Sequence, residues 1–227
     1  MKNKIQILCY GDSNTWGCIG RWYESDAPSE RYDEEHRWPC VLQKELGDSF
    51  NVIPEGLGGR TTIYDLDGEW RNGERYLKPC LLSHRPLDLV IILLGTNDLQ
   101  KAVQPEEEDL GKGISRLIDI VQENPKVGRD VKAPKILIIA PVEIRKSHPD
   151  GRVLVYDKFK GDIGRRKSLL FPALYKIIAK EKGCYYLNAA DYAQPGEADG
   201  VHFDAQSHVN LGKAVAELIQ KEIYPGE

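Results

Sequence analysis

Four short segments carry side chains that could do chemistry together. Gly11-Asp12-Ser13-Asn14 offers a hydroxyl beside a carboxylate, and Glu55-Gly56-Leu57-Gly58-Gly59-Arg60-Thr61 a glycine-rich run of backbone N–H groups. Gly95-Thr96-Asn97-Asp98 offers a side-chain amide, and Asp199-Gly200-Val201-His202 an imidazole three residues after a carboxylate. A serine hydroxyl is a weak nucleophile at neutral pH and needs a base within hydrogen-bond reach. That base needs a third group to fix its tautomer and steady its charge. The oxyanion that develops needs donors set in place beforehand. Ser13, His202 and Asp199 suit the first three roles. The backbone N–H groups of Ser13 and of a glycine, with the Asn97 amide, suit the last.

Each segment also has a plainer reading. Ser13 could cap a helix, as serine often does. The glycines at 56, 58 and 59 could form a phosphate loop. However, Thr61 stands where the dinucleotide pattern wants its third glycine, and no Gly-Lys-Ser/Thr follows. No cofactor is expected. Asn97-Asp98 could be a simple turn, and His202 a surface histidine after one. Asp199, His202 and Asp98 could hold a metal, but no paired-histidine or cysteine pattern supports it, and no metal is expected. Of the five histidines, His36, His84, His148, His202 and His208, only His202 follows an aspartate by three on a late loop. His208 falls on the expected last helix and reads as structural. Asp12 reads as a turn holder. Trp16 and Trp38 read either as substrate-binding walls or as core, and Arg60 either as an anion anchor or as one half of an ion pair.

These residues need a scaffold. Short apolar runs at Ile5–Tyr10, Phe50–Ile53, Leu87–Leu94, Lys135–Ala140 and Cys184–Leu187 lack polar alternation, as strands buried on both faces do. Helical spacing is legible over Trp38–Leu46, Asp109–Glu123 and Lys167–Lys182, and in a last helix capped by Ser207. Such alternation predicts an α/β fold: a flavodoxin-like three-layer sandwich with a five-stranded parallel sheet and helices on both faces. Ligands of such sheets bind beyond the carboxyl ends of the strands, where the four segments fall. The stretches 19–37 and 142–166 read as long loops. Trp22, Tyr23 and Tyr32 on the first of them suit a lid or a contact within a homo-oligomer.

Composition bounds the rest. The 227 residues are 41% hydrophobic and 29% charged, which suits one domain spanning 1–227 and excludes a disordered chain. A formal net charge of −4 argues against a nucleic-acid partner held by a basic face. No apolar run approaches the ~18 residues of a membrane span. The N-terminus lacks the features of a signal peptide. Five scattered cysteines with no C-x-x-C pair fit a reducing, cytoplasmic setting.

Taken together and in this order, the four segments resemble the blocks of the SGNH, or GDSL-type, hydrolases, from Ile7 to about Leu218. The resemblance implies that Ser13 is the nucleophile, with Asp199 and His202 completing the catalytic triad. It also places the backbone of Gly59 and the Asn97 amide with Ser13 in the oxyanion hole. Asn14 stands where the family usually has leucine. More narrowly, Cys9 to Gly17 and Glu55 to Thr62 look like the arylesterase and perhydrolase-like branch. That branch implies a serine esterase acting on short-chain acyl esters of small molecules, with acyl transfer to alcohols or peroxide. A carbohydrate O-acetylesterase with the same chemistry is the alternative. A flavodoxin-like ligand-binding module without catalysis is the rival from another class.

Overall fold

The computed structural model describes residues 4–21, 28–146 and 154–226. Five strands, β1 (Ile5–Gly11), β2 (Phe50–Gly56), β3 (Leu89–Leu93), β4 (Lys135–Ala140) and β5 (Tyr185–Asn188), form one sheet in the order β2-β1-β3-β4-β5. Every pairing is parallel. This is the doubly wound order with its switch point between β1 and β3. Eight α-helices surround it among the described residues: α1 (Ser13–Trp16), α2 (Trp38–Leu46), α3 (Gly73–His84), α4 (Lys112–Gln122), α5 (Leu154–Lys158), α6 (Asp162–Ser168), α7 (Phe171–Lys182) and α8 (Ala205–Leu218). No helix among these residues is long and apolar enough to cross a membrane.

Alternate strand residues face opposite layers, so the core splits in two. Leu8, Tyr10, Val90, Ile92 and Ile138 pack with α3, α4 and α7 on one face. Ile7, Cys9, Leu89, Ile91 and Leu137 pack with α2 and α8 on the other. This double burial is why the strands read as continuous apolar runs.

The structure departs from the expected elements in places. β2 runs on through Pro54 to Gly56, which its edge position allows, because proline has no N–H to give a further neighbour. Helix α3 was not expected. It opens on Gly73 and carries Pro79 inside, both poor helix signals. Asn72 offsets this by capping the N–H groups of Glu74 and Arg75 at 3.0 and 3.4 Å. The expected helix over 167–182 breaks at Leu169-Leu170, and its first part belongs to α6. Thus 142–166 is not all loop, since α5 and most of α6 lie within it. The last helix starts earlier than expected. Its cap is Asp204, which accepts from the Ser207 N–H at 2.7 Å, while the Ser207 hydroxyl accepts from the Gln194 N–H.

Candidate active site

The turn after β1 places Ser13. The Asp12 carboxylate accepts from the Asn14 N–H at 2.9 Å and caps α1, so Ser13 opens the helix and Asp12, not Ser13, is the cap. Asp12 is buried, and burial pushes its carboxyl up to about 6 against the opposing pull of the Asn14 N–H, His202 and Arg60.

The loop before α8 brings His202 to the serine. His202 Nε2 lies 2.9 Å from Ser13 Oγ, and His202 Nδ1 lies 2.6 Å from Asp199 Oδ2. The other Asp199 oxygen accepts from the N–H groups of Val201 and His202, each at 2.9 Å. One carboxylate therefore shapes the loop and orients the ring. Burial opposes the imidazolium, but Asp199 and, after it, Cys18 outweigh that and raise the His202 pKa. Burial likewise disfavours the Asp199 charge, yet the bonds from His202 and the two N–H groups leave its carboxyl below the ordinary range. The chain comes close over this pair. A Cβ on Gly20 would stand 2.9 Å from Asp199 Oδ2, so only glycine lets the early loop pass there.

Asn14 ties the two halves together. Its side-chain oxygen accepts from the Phe203 N–H at 2.9 Å and its Nδ2 donates to the Val201 carbonyl at 3.3 Å. Sequence reasoning noted Asn14 only as a departure from leucine. Its role as a clamp across 189 positions of the chain has no local signal.

The turns after β2 and β3 meet beside the serine. Asn97 Nδ2 donates to the Arg60 carbonyl at 3.1 Å and, at the long limit of 3.5 Å, toward Asp12 Oδ2. Gln100 Nε2 donates to Asn97 Oδ1 at 2.7 Å, which fixes which way the amide points. Gln100 was not singled out from the sequence. Gly59, beside Arg60, takes a φ of +76° in the turn closed by Arg60 N–H to the Leu57 carbonyl, a left-handed backbone that suits glycine. Asp98 supports the same turn by accepting from Thr62 N at 2.8 Å and from the Thr62 hydroxyl at 2.6 Å. Burial pushes its carboxyl up to about 7, with Asp12 adding to the rise.

Other candidates resolve differently. Trp38 is 0% exposed in the α2–α8 core and presents nothing to a substrate, so its substrate-binding reading is corrected: it sits on the inner face of α2. Trp16 is half-buried, with the Arg31 guanidinium 5.0 Å from its ring centre. Among the described residues no carboxylate side chain pairs with Arg60, and its guanidinium turns inward. It is 2% exposed, lies 4.1 Å from the Tyr10 ring centre, and donates to the carbonyls of Gly11 and Glu55. His208 is 0% exposed, edge-on to Phe203 and Tyr32 at 5.3 Å, and burial holds its pKa down to about 3. It is a neutral packing residue. His148, Trp22 and Tyr23 lie outside the described residues.

Residues 9–210 match the sequence profile of the GDSL-like lipase/acylhydrolase family. No curated protein matches. Among solved structures, the native M. smegmatis aryl esterase superposes with a TM-score of 0.85 at 36% identity, covering 96% of this chain and 99% of that one. Est24, a carbohydrate acetylesterase from Sinorhizobium meliloti, gives a TM-score of 0.86 at 36% identity and the same coverage. A putative arylesterase from Agrobacterium tumefaciens C58 gives 0.82 at 38% identity, over 96% of this chain and 99% of that one. This chain therefore belongs to the GDSL-like lipase/acylhydrolase, or SGNH, family and is a carboxylic ester hydrolase of the serine esterase kind.

Proposed function

We propose that the chain, acting as one catalytic domain over residues 1–227, cleaves short-chain esters of small molecules through an acyl-enzyme on Ser13. The observation that carries this reading is the unbroken path from Ser13 Oγ through His202 to Asp199, at 2.9 and 2.6 Å. As Ser13 Oγ bonds to the ester carbonyl carbon, its proton passes to His202 Nε2. Asp199 keeps the proton on Nδ1 and steadies the imidazolium. The carbonyl oxygen becomes an oxyanion facing the N–H groups of Ser13 and Gly59 and the Asn97 amide. The Asn97 hydrogen held only loosely by Asp12, at 3.5 Å, is the one free to turn to it. Collapse returns the His202 proton to the leaving alkoxide. Water, or an alcohol or peroxide in transfer, then takes the acyl group by the same steps in reverse.

The similarity to a carbohydrate acetylesterase favours acetylated sugars as a second substrate class. Five free thiols support a reducing, cytoplasmic setting. The exposed Ile163, Leu169, Leu170 and Ile177, on α6, the turn after it and α7, support contact between copies of the chain. The testing experiment is hydrolysis of p-nitrophenyl esters from acetate to octanoate by the wild type and Ser13→Ala. Activity that falls with chain length and vanishes in the variant is expected. Equal activity in the two proteins refutes the acyl-enzyme on Ser13.

A further inference from the structure

Apart from the serine and its partners, Glu55, Cys80 and His84 bring an oxygen, a sulfur and a nitrogen ligand atom within 4.8 Å of one another. It is the one such group of three among the described residues. Cys80 and His84 are four apart on α3 and so share a face. Glu55 lies near the end of the edge strand β2. His84 Nε2 is 2.9 Å from Glu55 Oε1. Cys80 is fully buried, whereas the His84 and Glu55 side chains are 29% and 22% exposed. The sulfur thus forms the floor of a site whose mouth reaches water.

Thiolate, imidazole and carboxylate together are the donor set that zinc accepts, and three protein ligands leave a fourth position for water. We propose that Glu55, Cys80 and His84 bind one thiophilic divalent cation of the zinc class. A thiol that ligates a cation gives up its proton as the metal takes the sulfur. Binding releases that proton to water, forms the metal–sulfur bond, and uses the lone pairs of His84 Nε2 and a Glu55 oxygen. The ion enters between His84 and Glu55, replaces their direct contact, and fastens β2 to α3. Its three ligands are distinct from Ser13, His202 and Asp199.

The experiment titrates the wild-type protein with Co²⁺, whose thiolate complexes absorb through sulfur-to-metal charge transfer, and follows thermal melting with Zn²⁺. A charge-transfer band saturating at one ion per chain is expected, with a raised melting temperature. Cys80→Ala should lose the band. His84→Gln, at a part-exposed position, should melt normally without metal and bind more weakly, by at least the roughly tenfold lost when a ligand's supporting partner is removed. Ser13→Ala should bind as the wild type does. Absence of the band in folded wild-type protein overturns the proposal, as does a band persisting in Cys80→Ala or full affinity in His84→Gln.

Discussion

Replacing Asp199 by asparagine separates the two tasks of one carboxylate. Asp199 Oδ1 holds the N–H groups of Val201 and His202, and Oδ2 faces His202 Nδ1 at 2.6 Å. In Asp199→Asn the amide oxygen still serves the two N–H groups, so the loop keeps its shape. The amide NH₂ then points at Nδ1, which must accept instead of donate. The neutral ring carries its proton on Nε2, pointing at Ser13 Oγ, and cannot take the serine proton. An inverted tautomer of this kind costs about 10⁴-fold in kcat, or about 5 kcal/mol of barrier. Asp199→Ala should differ. It strands two N–H groups at about 1–3 kcal/mol each, so it should lose stability as well as rate. The assay pairs saturating p-nitrophenyl acetate hydrolysis with thermal melting of both variants. An Asp199→Asn protein that melts normally and keeps kcat within tenfold of wild type would refute the reasoning.

Further outcomes follow from the same geometry. Asn97→Ala should lower kcat by about 10²–10³-fold with little change in melting, because in the proposed mechanism it removes an oxyanion donor; unfolding in place of rate loss would assign it to structure. Asn14→Ala leaves the Phe203 N–H and the Val201 carbonyl without their partner. It should cost about 1–3 kcal/mol in denaturant unfolding and lower kcat by loosening the His202 loop; a variant matching wild type in both would remove Asn14 from the clamp. Because the His202 pKa is raised, the acid limb of kcat/KM should lie above the ~6.5 of a free histidine; a limb at or below that value would show that Asp199 does not hold the imidazolium. Asp98 is protonated more readily folded, at about 7, than unfolded, near the ordinary 3.8 of an aspartate. Between these values the folded state binds the extra proton, so this group makes stability fall as pH rises through the window. Asp98→Asn should flatten that slope in denaturant melts from pH 4 to 7, and an unchanged slope would assign the proton uptake to another group.

Much of the site was legible because its residues fall where a doubly wound sheet must end its strands. Double burial made β1, β3 and β4 continuous apolar runs, and the segments after β1, β2 and β3 and before α8 carry residue types suited to acyl transfer. Local chemistry was enough to read Asp12 as a turn holder, since a carboxylate two residues before an N–H reports itself within one turn. Helix α3 was not legible, because Gly73 and Pro79 oppose it locally and its packing against the sheet face overrides them. Trp38 could not be assigned either, because an aromatic near a site and one in the core have the same sequence. Only the side of α2 that meets the sheet decided it. Asn14, Gln100 and Gly20 act through partners far along the chain or by the closeness of two backbones, and such contacts leave no pattern in the sequence. The chemistry was written in residue types at strand ends. The clamps and close approaches that hold those residues at bonding distance came only with the packed fold, because they depend on which distant segments the sheet brings side by side.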